Sequence, residues 1–315
     1  MIIPPRPRDF VQTKENLIFA VVSYDMEDDK IPVFLRYIPS GDKYKKVNTE
    51  EANEFLKNNF PEYLFYSKKS DAKLHAVSLQ NIKKILRPAE RLREILNSNE
   101  NSLDSVEKKL LKLIKIFNKI IPFDKMGVTG SILIKNQNEN SDIDIVIYGI
   151  KNFDAARKLV AELINKGNKG EISDLDDELW VDTYKRRDPS ISFEEFLWHE
   201  KRKFNKAAID NTKFDIALVR EFNEIKQDDK VYKKRGKIKL LARVIDDKFA
   251  FDYPARYKID NEISTVVSFT HTYVGQAKNG ELIEISGITE ESDGKMRIVV
   301  GQARESRDEY IKVVE

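Results

Sequence analysis

Two aspartates one residue apart, Asp142 and Asp144, lie in an apolar run shortly after the pair Gly130-Ser131. Strand side chains alternate between two faces, so residues i and i+2 point the same way. The sequence therefore predicts that both carboxylates project from one face of a strand. Neighbouring carboxylates repel each other unless a proton or a cation lies between them. A divalent metal fills that role, and two metals about 3.5–4 Å apart are typical of in-line phosphoryl transfer.

The Gly130-Ser131 pair is predicted to form a turn at the start of a helix, where backbone N–H groups favour a phosphate. Most Gly-Ser pairs are only turns, and this one gains weight from its spacing to the aspartates. The alternative for Asp142 and Asp144 is a solvated acidic face on an edge strand. Two acids among isoleucines and valines, directly after such a turn, favour the metal site.

The composition of the 315 residues excludes several classes of protein and predicts about two or three domains. Charged residues make up 34%, yet the net charge is only +2. A strongly basic surface for nucleic acid is therefore absent, whereas local basic patches are still compatible with this charge. The chain has no cysteine, which excludes disulfides, thiolate metal sites and cysteine nucleophiles. Without an apolar stretch of membrane-spanning length or a signal-peptide core, we expect a cytoplasmic protein with no membrane partner.

The first segment, residues 1–96, is predicted to be an α+β domain. Residues 17–24 and 31–38 read as a hairpin, because two β-rich runs flank a polar turn. Residues 49–57 are predicted to form a helix with a capping pattern at Thr49. A second helix is predicted over residues 79–96, interrupted near Pro88.

The second segment, residues 97–226, begins with a polar linker and carries the candidate site. Its predicted elements are helices over 103–121 and 152–164, a mostly helical region over 175–208, and short strands over 125–128 and 213–219. Glycines at 167 and 170 are predicted to end the 152–164 helix. The strand over 213–219 contains Asp215.

The third segment, residues 227–315, is predicted to be a β-rich domain. Residues 273–285 and 299–313 share a Val-Gly-Gln-Ala-basic pattern followed by an alternating strand. This similarity predicts a duplicated hairpin within a small β-barrel or a compact sheet, with bends at Gly275-Gln276 and Gly301-Gln302.

From about residue 103 to 220, the order helix, short strand, Gly-Ser and Ser-Asp-Ile-Asp-Ile-Val-Ile resembles the nucleotidyltransferases of the DNA polymerase β superfamily. Their signature is a Gly-Ser or Gly-Gly turn, a gap of roughly ten residues, an Asp-x-Asp strand, and a third carboxylate from a later strand, a place that Asp215 fits. More loosely, the whole chain resembles an archaeal family of predicted nucleotidyltransferases. That similarity rests on Arg8-Asp9-Phe10, Thr13-Lys14-Glu15 and the hydrophobic run over 17–24.

We expect a multidomain α+β fold. The resemblance implies a nucleotidyltransferase core with a mixed sheet and flanking helices, and the β-rich pattern of the third segment predicts a small C-terminal β-barrel-like domain. It implies that Gly130 and Ser131 bind the terminal phosphates of a nucleoside triphosphate. It also implies that Asp142, Asp144 and Asp215 are catalytic and ligate Mg²⁺ or Mn²⁺, with pyrophosphate as the leaving group. Many relatives have a small residue where this chain has Lys135, which departs from the pattern and offers an alternative contact to a phosphate.

The acceptor hydroxyl is open at this stage. RNA is one candidate, bound through the third segment and the basic run that starts at Lys230 and ends at Lys239; the alternative for that run is a charged linker. Exposed aromatic and basic side chains of the third segment would stack on a single strand, or would instead belong to the core. These side chains are Tyr257, Phe269, Tyr273 and Arg297. A protein or small-molecule hydroxyl is a second candidate, and a non-catalytic nucleotide- or RNA-binding module is a third interpretation.

A basic helix predicted over 193–208 offers Lys201, Arg202 or Lys203 as triphosphate contacts, against the commoner alternative of a solvated face. His199 in the same helix is more typical of a packed or surface imidazole than of a catalytic one.

Overall fold

The computed structural model describes residues 3–166, 171–226, 228–301 and 308–314. Three β-sheets follow one another along the chain, with helices concentrated around the middle one. The mixture of helices and sheets confirms the predicted α+β class. The predicted glycine stop at 167–170 lies outside the described residues.

The N-terminal sheet has seven strands in the order β5-β6-β3-β2-β1-β7, with β4 beside β3. The predicted hairpin is present as the antiparallel pair β2–β3. Helix α1 is capped one residue earlier than predicted. The Asn48 side chain accepts from Glu51 N–H, and the Glu51 carboxylate accepts from Asn48 N–H. The elements are β1 (Phe10–Thr13), β2 (Ile18–Val21), β3 (Lys30–Ser40), β4 (Lys43–Lys46), α1 (Thr49–Asn59), β5 (Leu64–Ser67), β6 (Ala72–Ser78) and β7 (Ile82–Leu86).

The predicted helix over 79–96 is wrong in its first half. Ile82–Leu86 is strand β7, paired antiparallel with β1, and the helix begins only at Pro88. Proline has no N–H and a fixed φ, so it suits the first helical position rather than the middle of a helix. The edge of β1 meanwhile offers hydrogen-bond partners that the local sequence does not reveal.

The middle sheet has the order β10-β11-β12-β9-β8, and β9–β12 is its parallel pair, so the predicted mixed sheet is present. The helix predicted over 103–121 is present as α3, capped by Asp104 with Glu107 in a capping box. The elements are α2 (Pro88–Leu96), α3 (Ser105–Phe117), β8 (Met126–Val128), α4 (Gly130–Leu133), β9 (Ile143–Tyr148), α5 (Ile150–Asn165), β10 (Ile172–Ser173), α6 (Asp177–Arg187), α7 (Phe193–Lys201), β11 (Lys206–Ile209) and β12 (Thr212–Val219).

The helical region predicted over 175–208 is wrong at its end, because Lys206–Ile209 is strand β11 and not helix. β11 and β12 form a hairpin around Asp210-Asn211, and both turn residues have positive φ (45° and 61°). Two-residue hairpin turns with positive φ at both positions favour Asn, Asp and Gly. The Asp-Asn pair is thus the local signal for this strand.

The C-terminal sheet has the order β13-β14-β15-β17-β16-β18, and β13 also pairs with β16. These pairings join five of the strands in a ring; the barrel-like shape stays a prediction. The basic run is no linker over most of its length, since β13 begins at Lys233. The elements are β13 (Lys233–Phe249), β14 (Ala255–Ile259), β15 (Thr265–Ser268), β16 (Leu282–Ser292), β17 (Lys295–Val300) and β18 (Tyr310–Val313).

The predicted duplicated hairpin is wrong for its first copy. A short 3-10 turn, His271–Tyr273, precedes Gly275, where the hairpin needs a strand. In the second copy, Gln302 and the rest of residues 302–307 lie outside the described residues. The two trailing strands nevertheless pair with each other, with Ile285 opposite Ile311.

Each sheet has its own hydrophobic cluster, and some helices cross the predicted segment boundaries. Leu92 and Ile95 of α2 pack with the middle sheet, while Trp180 of α6 and Phe196 of α7 pack with the C-terminal sheet. The boundaries at 96 and 226 stay predictions. Within the part of the chain that the structure describes, no helix has the length and apolar character needed to cross a bilayer.

Candidate active site

Asp144 and Asp215 lie directly opposite each other on the parallel strands β9 and β12. In-register residues of neighbouring strands project from the same face. Asp142 comes immediately before β9. The alternating residues Ile143, Ile145 and Ile147 belong to the hydrophobic cluster on the other face, as the alternation predicts. The fold thus brings three carboxylates, from two stretches of chain about 70 residues apart, to one face of the sheet.

Gly130 packs against one of these carboxylates. Its φ is +69°, and a Cβ on it would lie 2.2 Å from Oδ2 of Asp144. The preceding residue, Thr129, donates its backbone N–H to the Asp144 carbonyl at 2.9 Å. Both the left-handed φ and the close approach favour glycine, because any Cβ would push the Asp144 carboxylate from its place. The spacing between the turn and the aspartates therefore has a direct structural reason.

Helix α4, which carries Gly130 and Ser131, is fixed from two sides. Arg91 of α2 donates Nε–H to the Ile132 carbonyl at 3.0 Å and forms a buried ion pair with Glu107 of α3. On the opposite side, Leu133 packs with Phe10 of the N-terminal sheet. The turn is therefore held by α2 and β1, and Glu107 of α3 fixes the arginine that holds it.

Four cationic side chains face the carboxylates. Lys213 Nζ lies 3.3 Å from Asp142 Oδ2 and 3.9 Å from Asp215 Oδ1. Arg186 Nη1 lies 3.0 Å from Asp142 Oδ2, and Arg187 Nη2 lies 3.9 Å from Asp215 Oδ2. The fourth cation is Arg8, in the segment before β1, which interacts electrostatically with Asp144 and Asp215. We call these cations and the three aspartates the carboxylate cluster.

None of the four cations was predicted as a site residue. Lys213 carried a usable signal, since it lies two residues before Asp215 and shares its face of the strand. Arg186 and Arg187 end helix α6, a place where basic residues are common because they complement the helix dipole. Their approach to the site depends on tertiary packing and has no local signal.

Burial and charge move the pKa values of two aspartates in opposite directions. Burial, and then the neighbouring charge of Asp215, raise the pKa of Asp144. Burial alone would also raise the pKa of Asp215, but Lys213, Lys206 and Arg187 outweigh it and lower that pKa. Asp215 is therefore ionised more readily than its neighbour.

The donor chemistry of Asp144 and Asp215 fits a divalent cation. Asp215 Oδ1 is buried and has no hydrogen-bond partner among the described residues, which is costly for a carboxylate oxygen. Oxygen donors of this kind are the ones that Mg²⁺ and Mn²⁺ prefer. Asp142 is occupied by two cations, and in the described parts of the chain no three acidic or histidine side chains stand in metal-ligating geometry. A shared metal therefore requires Lys213 and Arg186 to give way.

The carboxylate cluster opens into a cleft of about 2020 Å³ lined by all three sheets. Its described lining includes sixteen lysines and arginines but only ten aspartates and glutamates. That excess of six positive charges exceeds the net charge of +2 of the whole chain. The cleft therefore concentrates the positive charge of the molecule.

The basic helix does not supply the triphosphate contacts considered from the sequence. Lys201 lies 3.5 Å from Asp174, and Arg202 is paired with Glu281 and lies over the ring of Trp198. None of the three candidate residues lines the cleft, and Lys203 is fully buried. The helix also ends at Lys201 instead of residue 208.

Two further residues considered from the sequence lie away from the cleft. His199 is packed, as its type suggested: Nδ1–H donates to the Glu195 carbonyl at 2.6 Å and Nε2 accepts from Val313 N–H at 3.0 Å. Lys135 pairs with Glu94 at 3.3 Å and lies outside the cleft, so the phosphate contact is wrong. Its φ of +56° nevertheless keeps the left-handed conformation that suits a small residue.

Of the candidate stacking residues, Tyr257 and Tyr273 belong to the core, being only 0% and 3% exposed. Phe269 and Arg297 line the cleft, where Arg297 is held by Glu290 at 2.7 Å and lies over Tyr232. The stacking interpretation is thus wrong for the two tyrosines and stays open for Phe269 and Arg297.

Comparison with known proteins assigns the chain to a class that agrees with this geometry. Residues 110–235 match the family model described as "Nucleotidyltransferase domain", which covers the turn and all three aspartates. The chain carries a nucleotidyltransferase domain.

The chain is 43% identical to the Methanocaldococcus jannaschii protein named "Uncharacterized protein MJ1086". The alignment has 339 positions and covers 98% of each sequence. The chain belongs to the same archaeal family of predicted nucleotidyltransferases, which confirms the resemblance seen in the sequence. No solved structure matches the chain.

Proposed function

We propose that this protein is a metal-dependent nucleotidyltransferase that moves a nucleoside monophosphate from a nucleoside triphosphate to a hydroxyl, with release of pyrophosphate. One observation carries the proposal: Asp144 and Asp215 are in register on parallel strands and line one cleft, and Asp144 lies against the Gly130 turn. This arrangement places acidic oxygens beside a turn that lines the same cleft, and backbone N–H groups of such a turn are suited to a phosphate.

The three aspartates would hold Mg²⁺ or Mn²⁺, and Gly130 and Ser131 would contact the terminal phosphates. The bound metals would supply charge neutralisation at the phosphoryl oxygens. In the transfer, the acceptor oxygen forms a bond to the α-phosphorus while the bond to the bridging oxygen breaks and pyrophosphate leaves with its electron pair. The lowered pKa of Asp215 favours the carboxylate form, which would ligate a cation. The same carboxylate would take the acceptor's proton, although its lowered pKa makes it a weaker base.

The charge balance of the carboxylate cluster supports a polyanionic substrate. Four cations face three carboxylates, so the cluster has a surplus of positive charge before any metal binds. A divalent metal increases that surplus. A triphosphate supplies the negative charge that the cluster lacks.

We propose RNA as the acceptor. The cleft, at about 2020 Å³, is larger than the roughly 300–1,000 Å³ typical of small-molecule pockets. Its excess of positive charge suits a phosphate backbone. Lys230 and Tyr232 at the start of the basic run also line it, which supports an RNA path towards the C-terminal sheet.

The test is transfer of label from each of four nucleoside triphosphates, labelled at the α-phosphate, to the RNA, protein and small-molecule fractions of a cell extract with Mg²⁺. We expect label in RNA, falling steeply as salt rises. Asp144→Asn and Asp215→Asn should each lose about 10²–10³-fold or more of the rate. Asp154→Asn, an exposed aspartate of α5 outside the cleft, is the matched control and should keep full activity.

Each outcome separates one alternative. Undiminished transfer by either cluster variant contradicts the assignment of these aspartates. Label in the protein or small-molecule fraction replaces RNA as the acceptor. No transfer by the wild-type chain, together with nucleotide binding that is independent of Mg²⁺, indicates a non-catalytic binding module.

A further inference from the structure

The segment before β1 brings an arginine, Arg8, into the cleft in an unusual backbone conformation. Its φ is +80°, in the left-handed region that L side chains other than Asn and Asp seldom adopt. Thr129 Oγ1 donates a hydrogen bond to the Arg8 carbonyl at 2.8 Å. Thr129 directly precedes Gly130, so the turn of the carboxylate cluster itself fixes this conformation. Such strain persists where the surrounding structure enforces it, often at functional sites.

The residues around Arg8 anchor the segment. The buried side chain of Asp9 accepts from Arg6 N–H at 3.0 Å and from Arg87 Nη1 at 3.2 Å. The Arg6 guanidinium lies between the rings of Tyr148 and Phe222, 4.4 Å and 4.2 Å from their centroids. The position of Arg8 is therefore set by fixed contacts on both sides.

The guanidinium of Arg8 is held by the third segment as well, through the 3-10 turn that starts at His271. Its Nη2 lies 3.3 Å from Nδ1 of His271. Arginine only donates, so Nδ1 accepts and the ring proton of a neutral His271 is on Nε2. His271 is stacked on Tyr253, with the ring centroids 5.0 Å apart. Backbone from the first segment, a turn from the second and a ring from the third thus aim one cation at the cluster.

Among the described residues, Arg8 has no dedicated carboxylate partner of its own. The acids that it faces, Asp144 and Asp215, are the groups that the proposed function assigns to the metal. Once those carboxylates hold divalent cations, the half-buried guanidinium lacks a nearby anion, and a bound phosphate would supply one. A planar guanidinium binds a phosphate through two parallel N–H···O bonds, which a lysine cannot reproduce.

We propose that Arg8 is a catalytic residue that binds the β- and γ-phosphates of the nucleotide and holds the pyrophosphate as it leaves. This inference rests on the proposed function. It also assigns a role to the N-terminal sheet and its preceding segment: they deliver a phosphate ligand to a site formed by the middle sheet.

The test is calorimetric binding of inorganic pyrophosphate with Mg²⁺ to the full chain, because pyrophosphate does not depend on the base preference. Arg8→Gln should weaken pyrophosphate binding about tenfold or more, and Arg8→Lys about threefold. The matched control, Arg93→Gln, changes an exposed arginine of α2 outside the cleft and should bind like the wild type. Nucleoside monophosphate binding should change less than twofold in both Arg8 variants.

Equal pyrophosphate affinity of Arg8→Gln and the wild type overturns the inference. Should Arg8→Gln not fold, Arg8→Lys decides, and an unchanged affinity there overturns it. A parallel loss of monophosphate and pyrophosphate affinity also counts against it, since that pattern indicates a purely structural role. If the wild-type chain binds neither pyrophosphate nor any nucleoside triphosphate, the proposed function fails first; binding by the wild type without an Arg8 effect sinks only the inference.

Discussion

Two charged clusters lie side by side where the middle sheet meets α7, and they are built differently. The first, which we call the Glu200 cluster, consists of Glu200, Lys203 and Lys206, which are 3%, 1% and 6% exposed. One oxygen of Glu200 is bound by Lys203 and the other by Lys206, and Lys203 also donates to the Thr272 carbonyl at 2.8 Å. Every member has its partner inside the protein.

The carboxylate cluster is its neighbour, since Lys206 lies directly across the sheet from Asp215. It opens to the cleft, its ion pairs to Asp215 are 3.9 Å long, and one buried oxygen of that residue has no hydrogen-bond partner among the described residues. In a satisfied network every charged group already has its partner within the protein, whereas an unsatisfied one indicates a place where a ligand completes the bonding. The difference between the clusters separates a structural ion network from a candidate active site.

The largest effect should come from breaking the Glu200 cluster. Burial alone would raise the pKa of Glu200, but Lys203 and Lys206 outweigh it and hold it well below the usual range. Glu200→Gln should lower the free energy of unfolding by about 3–5 kcal/mol, because two buried lysines lose their counter-ion. Asp215→Asn, the same change in the carboxylate cluster, should alter it by less than about 1 kcal/mol. Urea unfolding checks both, and equal losses would erase the distinction.

The pH dependence of stability should sharpen the same comparison. Burial lowers the pKa of His199, the residue before Glu200, to about 4, against 6.5 for an exposed histidine. The folded state thus favours the neutral ring, and this stability is full above pH 6.5 and is lost as pH falls towards 4. The loss should be about 3 kcal/mol.

His75 in the N-terminal sheet is the natural control, with a pKa that burial lowers to about 4 as well. His199→Asn keeps the donor to the Glu195 carbonyl but does not titrate. Between pH 4 and 6.5, the free energy of unfolding of this variant should change with pH about half as much as that of the wild type. The remaining change comes from His75, which still titrates. An unchanged pH dependence in this variant would show that the stability of the region around the Glu200 cluster does not depend on a neutral ring at position 199.

A smaller effect is expected from adding a side chain at Gly130, where the turn lies against the carboxylate cluster. Gly130→Ala places a methyl group against Asp144 at 2.2 Å, so Mg²⁺-dependent nucleotide binding should fall. Stability should drop by about 1–3 kcal/mol from backbone strain and the clash. Gly41→Ala is a matched control with φ of +59° and open space around it. If both variants lose equally, the contact with Asp144 contributes nothing.

The smallest effect concerns Lys135, whose φ is +56°. Lys135→Gly should be about 1 kcal/mol more stable than Lys135→Ala, because only glycine adopts this conformation without strain. Both variants remove the exposed pair with Glu94, so that loss cancels in the comparison. Thermal unfolding of the pair measures the difference, and neither variant should change nucleotide binding.

The sequence was most informative where local periodicity decides the structure. Strand alternation is enough to place Asp142 and Asp144 on one face, and an apolar run around Asp215 is enough to predict its strand. It could not show that β9 and β12 are parallel neighbours in register, although the resemblance implied that the aspartates meet. Their chemical roles stay predictions.

Long-range contacts explain most of what the sequence missed. Strand β7 owes its conformation to the edge of β1, and the approach of Arg8 to the cluster depends on Thr129 and His271 from the other segments. A positive φ at an arginine has no signature in the sequence. The Asp210-Asn211 turn did have one, and it would have separated β11 from the preceding helix.

The contact between Arg8 and His271 joins residues 263 positions apart, and this has a consequence for biosynthesis. Contacts of such long sequence separation form late, after the intervening chain has been made and folded. A growing polypeptide on the ribosome has all three aspartates once β12 has emerged, yet it lacks the ring that holds the arginine. Competence to bind a nucleotide in its final form should therefore arrive only after His271 has been made and has folded against Arg8.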